Sequence, residues 1–210
     1  MDSQVRRGPV ARVQQVWVFP VKSMRGTSVS SAAVSARGLA QDRAWAVVDG
    51  AGETVSAAQE PRLREVAAHL RDDSVVALDV PGSTPGRAGP DADEALSSWL
   101  GRPLRLQHRG DASFVDVAPV HLVSTFSMTH SAHTEECDAC DVSEPRANLV
   151  LDFSVLDHEA GDTERDWIGR SVTIGAVTLD VVRRPNHCLG VYADVATEGR
   201  VHVGDDVTLD

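Results

Sequence analysis

The sequence predicts a mainly β protein with a few helices, its strands closing into a barrel. Three observations carry this. Short runs rich in Val, Trp, Phe and Ile recur along the chain, bounded by Gly, Pro, Asn or Asp, as strands joined by tight turns are. The C-terminal tail is the densest case: strand-like stretches at 172–174, 177–183, 189–195, 200–203 and 206–209 are separated by Gly175-Ala176, the Asn186-His187 region, Glu198-Gly199 and Gly204-Asp205. Close, regular strands with Gly turns point to a barrel. Only two short stretches read as helix.

Taken in order, residues 1–10 are polar and loose. Residues 13–19 form a strand, 29–34 carry a weaker strand signal, and Gly38-Leu39-Ala40-Gln41-Asp42-Arg43 is a turn leading into a strand at 44–48. Asp49-Gly50-Ala51-Gly52 is a hairpin turn into 53–57. Pro61-Arg62-Leu63 breaks the pattern, and 66–70 with 74–80 make another hairpin across Arg71-Asp72-Asp73. Turn-formers fill 81–90, which marks a surface loop and an internal boundary. Asp91 or Asp93 can cap a short helix through Leu100, stopped by Gly101. Strands follow at 104–108 and 120–123, a helix from Thr125 to about Glu136, and a strand at 148–153. The expected organisation is an N-terminal β subdomain at 10–80, a loop at 81–95, and a barrel domain at 96–210.

A chain of 210 residues with 42% hydrophobic and 24% charged content is ordinary for a globular protein. Its net charge of −11 argues against broad nucleic-acid binding, which needs a basic footprint. It leaves room for a small anion held by local arginines. No run approaches the ~18 apolar residues of a membrane span, so no membrane association is expected. The N-terminus lacks a secretory core, and the three cysteines are an odd number. Both point to a reducing, cytoplasmic location with cysteines used for chemistry or metal.

Lys22 is the only lysine; every other basic side chain is arginine. It sits in Val16-Trp17-Val18-Phe19-Pro20-Val21-Lys22-Ser23-Met24-Arg25-Gly26, just past a strand end, where loops present functional groups. Either the position wants a compact ammonium, or compositional bias removed the other lysines and this one survived. Cys188 follows Arg183-Arg184-Pro185-Asn186-His187, whose positive charges favour a thiolate. The alternative is a buried, inert thiol. His130, His133, Cys137 and Cys140 spell H-x2-H-x3-C-x2-C, all zinc-capable types. A zinc site, a dithiol pair and a polar helix end without a role all stand as readings. Arg146-Ala147-Asn148-Leu149-Val150 and Arg43 place arginines at strand starts. A cluster of Lys22, Arg43, Arg146 and Arg183 or Arg184 would suit a phosphate. Asp42 reads as a turn acid, His121 as structural, and the four tryptophans as packing residues. No G-x-S-x-G, phosphate-binding loop or dinucleotide fingerprint is present.

Val18-Phe19-Pro20-Val21-Lys22-Ser23-Met24-Arg25-Gly26 and Gly38-Leu39-Ala40-Gln41-Asp42-Arg43-Ala44-Trp45 together resemble the N-terminal β-barrel region of proteins with the molybdenum cofactor sulfurase C-terminal (MOSC) domain. Arg146-Ala147-Asn148-Leu149-Val150, Asp166-Trp167-Ile168-Gly169, Ile174-Gly175-Ala176-Val177, Gly190-Val191-Tyr192-Ala193 and Val203-Gly204-Asp205-Asp206-Val207 are similar to later elements of that family, in order. The resemblance implies a MOSC-like β-barrel binding a molybdenum-pterin (molybdopterin) cofactor. It implies that Lys22, Ser23, Arg43 and Arg146 contact the pterin and its phosphate, with Asn148 supporting. Ser124, Thr125 and Ser127 lie where family members line the cofactor, and Cys188 would be the molybdenum thiolate. The sequence departs from the family in two places. Cys188 is followed almost at once by Gly190-Val191-Tyr192, without the usual intervening segment, and Gln59 stands where arginine is common. Three functions remain in view. The first is a molybdenum oxidoreductase reducing N-hydroxylated small molecules with an external electron donor. The second is a sulfur carrier using a cysteine persulfide fed by a sulfur donor protein. The third is a cofactor-free, zinc-stabilised binding or biosynthetic module.

Overall fold

In a computed structural model, the structure describes residues 8–71, 75–110, 112–131, 146–153, 163–186 and 188–210. The strands run β1 (Ala11–Val18), β2 (Thr27–Val29), β3 (Ser31–Ser35), β4 (Gly38–Leu39), β5 (Trp45–Asp49) and β6 (Thr54–Val55). They continue as β7 (Ala67–Arg71), β8 (Val75–Asp79), β9 (Gly86–Arg87), β10 (Leu104–His108), β11 (Val120–Ser124) and β12 (Leu149–Asp152). The series ends with β13 (Ser171–Ile174), β14 (Val177–Arg183), β15 (Val191–Thr197), β16 (Gly199–His202) and β17 (Asp206–Leu209). Two α-helices, α1 (Pro90–Leu100) and α2 (Thr125–Ser131), and 3₁₀ turns at Pro61–Glu65 and Glu164–Trp167 complete the described elements.

The chain divides into two compact units that interleave in sequence. One holds Met1–Trp17, Val29–Ala40 and Val117–Asp210; the other holds Val18–Ser28 and Gln41–Asp116. The compositional boundary read at 81–95 falls inside the second unit, and its stretch carries β9 and the first turn of α1.

The first unit is built on a closed seven-stranded barrel. Its order is β12-β11-β15-β14-β13-β17-β1, and β1 pairs back onto β12. Closure removes the free edges that an open sheet would present. Side chains alternate as a barrel requires: on β14 Val177, Leu179 and Val181 point in while Thr178, Asp180 and Val182 do not. β13 and β14 meet as a hairpin at Ile174↔Val177. Gly175 takes φ +58° at the first turn position, which suits the two-residue hairpins that match strand twist. β11 and β12 pair in parallel, so the chain needs a long crossover between them, and α2 begins it. β11 is buried at every position because both faces are covered. Val123, Ala147 and Val150 pack with Trp17, Met128 and Leu189. β3, β4 and β16 form a separate three-stranded sheet in this unit.

The second unit has two three-stranded sheets, β10-β5-β6 and β7-β8-β9, around one apolar core. Val21, Met24, Val47, Leu63, Leu78, Leu96 and Leu106 fill it, with Trp45 and Trp99 packed against it. The helix expected from an aspartate cap starts differently. Gly89 occupies the cap, Pro90 supplies the first helical position, and Asp93 instead accepts a hydrogen bond from Leu106 N (2.7 Å). Gly101, in left-handed conformation at φ +71°, ends the helix as read. The stretch beginning Pro61-Arg62-Leu63 is a 3₁₀ turn that buries Leu63, not merely a break. No helix among the described residues is long and apolar enough to cross a membrane.

Candidate functional site

In the second unit, the segment from Phe19 to Arg25 is held almost entirely through its backbone. Lys22 N donates to Trp45 O (2.8 Å) and Trp45 N to Pro20 O (3.0 Å). Arg25 N donates to Val66 O (3.0 Å) and Ala68 N to Arg25 O (2.9 Å). Val21 and Met24 are driven into the core, so Lys22 and Ser23 are fixed between two anchors. Ser23 takes φ +71°, a left-handed backbone that costs a non-glycine residue energy. Its hydroxyl accepts from Ala57 N (2.9 Å) and thereby ties down the turn after β6. Gln59 closes that same turn by accepting from Ser56 N (2.8 Å). Gly26 is required here, since a Cβ would lie 2.5 Å from Val18 O.

Arg43 is organised around the same segment. Its N donates to Phe19 O (2.7 Å), its carbonyl accepts from Phe114 N (2.7 Å), and its guanidinium lies 4.9 Å over the Phe19 ring. Arg43 and Gln41 both have left-handed φ, at +49° and +66°. The side chain of Asp42 is 1% exposed. One carboxylate oxygen accepts from Phe19 N (2.8 Å) and the other pairs with Arg43 Nη1. The residue read as a turn acid is therefore the buried joint between the two segments. Lys22 Nζ pairs with Asp116, whose side chain is 71% exposed. Nothing in the local sequence around Asp116 signals this pairing, which spans ninety-four positions.

In the first unit, the polar residues at the ends of β11 and β12 are engaged with the barrel itself. Asn148 is 1% exposed. Its Oδ1 accepts from His121 N (3.1 Å) and its Nδ2 donates to Trp17 O (3.3 Å), so one amide joins the strands that close the barrel. Ser124 Oγ accepts from Ser127 N (2.9 Å), shaping the start of α2. Ser127 Oγ donates to Glu164 Oε2 (3.0 Å). Glu164 is wholly buried and its other oxygen has no hydrogen-bond partner. Thr125 is half-buried and its carbonyl accepts from Thr129 Oγ1 (2.8 Å). Arg146 is half-buried directly before Ala147. Arg183 and Arg184 are exposed, and Arg184 donates to Arg165 O (3.1 Å). Cys188 is half-buried. Its neighbour Leu189 and Arg146's neighbour Ala147 belong to one apolar cluster, so the unit brings those two candidates into one region. His130 lies in α2, while His133, Cys137 and Cys140 lie outside the described residues, and with them the zinc reading. Among the described residues no group of three or more His, Cys, Asp or Glu could hold a metal ion.

Sequence reasoning missed Asp116 and Glu164 and undervalued Asp42 and His121. Each acts through partners far away in the chain. The D-R pair at 42–43, followed by an aromatic strand, was the one local signal available for Asp42.

Residues 10–104 match the model of the MOSC N-terminal beta barrel domain. The chain is 41% identical over 70 residues to mitochondrial amidoxime-reducing component 1 of Mus musculus, covering 31% of this chain and 21% of that protein. It is 32% identical over 128 residues to the Homo sapiens component 1, covering 47% and 38%. It is 38% identical over 77 residues to component 2 of Bos taurus, covering 35% and 23%. The matching stretch thus spans less than two fifths of the length of any of these relatives. Among solved structures, the YUAD protein from Bacillus subtilis aligns over 95% of this chain and 94% of its own, at 10% identity and a TM-score of 0.47, too low a likeness to carry an argument. Residues 10–104, where the pinned Lys22–Ser23 loop and the Asp42–Arg43 pair lie, are thus similar to the MOSC N-terminal beta barrel domain.

Proposed function

We propose that the chain is a MOSC-type oxidoreductase that binds a molybdenum-pterin cofactor and reduces N-hydroxylated small molecules. The observation that supports this best is the cation frame of the second unit. An ammonium and a guanidinium stand on rigidly pinned backbone, with left-handed φ at Ser23 and Arg43, inside the family-matched stretch. Such strain persists where function requires it. The donor set suits a phosphate: Lys22 offers a compact charge whose acidic partner is exposed, and Asp42 orients the Arg43 fork. In this reading Lys22, Ser23 and Arg43 bind the pterin phosphate. The Cys188 thiolate is the molybdenum ligand. Asn148 acts by holding strands. Ser124 and Ser127 are not assigned contacts, because their hydroxyls serve α2 and Glu164. When bound, the group would supply two-electron cleavage of an N–O bond, the electrons coming from an external donor protein.

The test is elemental. Full-length protein made in a host that synthesises the cofactor should carry stoichiometric molybdenum. Cys188→Ser should lose the metal, and Lys22→Ala should lower the pterin content. Wild-type protein without molybdenum overturns the reading. A persulfide on Cys188 in that same sample would favour the sulfur-carrier alternative.

A further inference from the structure

We propose that His121 is a positioning residue for Cys188. His121 lies in β11 with only 6% of its surface exposed. Its Nε2 is 2.8 Å from the carbonyl oxygen of Leu189. A carbonyl only accepts, so Nε2 carries the hydrogen and the ring donates. The ring is seated on both sides of this bond. It packs 4.8 Å from the ring of Tyr192, its register partner on β15, and its own backbone N–H is held by Asn148 Oδ1 (3.1 Å).

The residues after Cys188 have little freedom. The Leu189 side chain packs with Val123, Ala147 and Val150. Gly190 takes φ +84° and runs so close to β11 that a Cβ there would fall 2.0 Å from Leu122 O. Only glycine allows that approach. One imidazole and one glycine thus clamp the two positions that follow Cys188, and they fix where a half-buried thiol stands. Asn148 acts one step further back: it fixes His121, which fixes Leu189, which fixes Cys188. The functional weight of this clamp rests on reading Cys188 as the metal ligand, but the clamp itself can be tested without any metal.

The experiment measures the rate at which iodoacetamide alkylates Cys188 in the full chain, followed by peptide mass spectrometry so that the other cysteines do not interfere. His121→Ala should raise the rate about fivefold, the weight of one hydrogen bond. His121→Gln, whose side-chain N–H can donate to Leu189 O, should stay near the wild-type rate. A purely packing role predicts equal effects of the two substitutions, and that result overturns the proposal. So does a wild-type rate in His121→Ala protein whose β11 amides keep their hydrogen-exchange protection. Gly190→Ala attacks the same clamp independently and should also raise the rate. If His121→Ala does not fold, an unchanged rate in Gly190→Ala overturns the proposal alone. Missing molybdenum in wild-type protein, with the alkylation result as expected, would reject the cofactor reading and leave the clamp standing.

Discussion

The two units treat their candidate polar residues in opposite ways. In the second unit the backbone does most of the holding: Lys22 and Arg43 are fixed by main-chain bonds to Trp45, Phe19 and Phe114, and Ser23 and Arg43 adopt left-handed φ. The Lys22 ammonium pairs with Asp116 and the Arg43 guanidinium with Asp42. In the first unit the side chains do the holding. Asn148 joins the barrel closure, Ser124 shapes α2, and Ser127 satisfies half of Glu164. The difference teaches that a polar residue at a strand end is not thereby a ligand. What matters is whether the structure has already spent its donors and acceptors.

Several substitutions would break or sharpen that contrast. The largest effect is expected at its most buried joint. Asp42→Ala removes a buried carboxylate that accepts from Phe19 N and pairs with Arg43 Nη1, so urea unfolding should show a loss of about 3–5 kcal/mol. A loss near zero would mean that Asp42 does not join the two segments. Asn148→Ala deletes two hydrogen bonds from a buried amide and should cost about 2–3 kcal/mol. Ser127→Ala strips the wholly buried Glu164 carboxylate of its hydrogen bond, a loss of about 2 kcal/mol, and should leave molybdenum content intact. Lost molybdenum in folded Ser127→Ala protein would instead make that hydroxyl a cofactor contact. Lys22→Ala should change stability by less than about 0.5 kcal/mol, because Asp116 is well solvated, while lowering pterin content. The smallest effect is expected at Glu60. The Glu60 carboxyl sits below its ordinary 4.5, chiefly through its side-chain hydrogen bond with Arg62. A depressed carboxyl stabilises the folded state above its unfolded value, and that contribution is lost as pH falls through the folded one. Arg62→Ala should therefore return the Glu60 titration toward 4.5 by NMR and lower stability slightly at neutral pH, a difference that disappears in acid below the folded titration.

Much of the secondary structure was legible because its causes are local. β10 and β17 carry the limits read from the sequence, as does β14. In each, buried apolar residues alternate with polar or exposed ones. Gly175 and Gly101 mark their turns by conformational freedom alone. The strand expected at 29–34 splits into β2 and β3, and the helix expected from Thr125 to about Glu136 is described only as far as Ser131. β4 and β9 escaped notice, since two residues carry no period. The wholly buried β11 was legible as a strand, but not the cover over both its faces.

The candidate site was legible as a set of residue types and a family resemblance, not as a set of roles. The lone lysine, the D-R pair and the R-x-N stretch are visible in the chain itself. That Asp42 is buried, that Ser23 has a left-handed backbone, and that Asn148 spends its amide on Trp17 and His121 cannot be read there. What the amino-acid order determined by itself was where strands begin and stop, because the period of side chains and the torsional limits of Gly and Pro act within a few residues. Barrel closure of β1 onto both β12 and β17, the interleaving of the two units and the clamp on Cys188 were decided only in three dimensions. Each joins groups far apart along the chain, and which donor finds which acceptor across such a distance depends on how the whole fold packs.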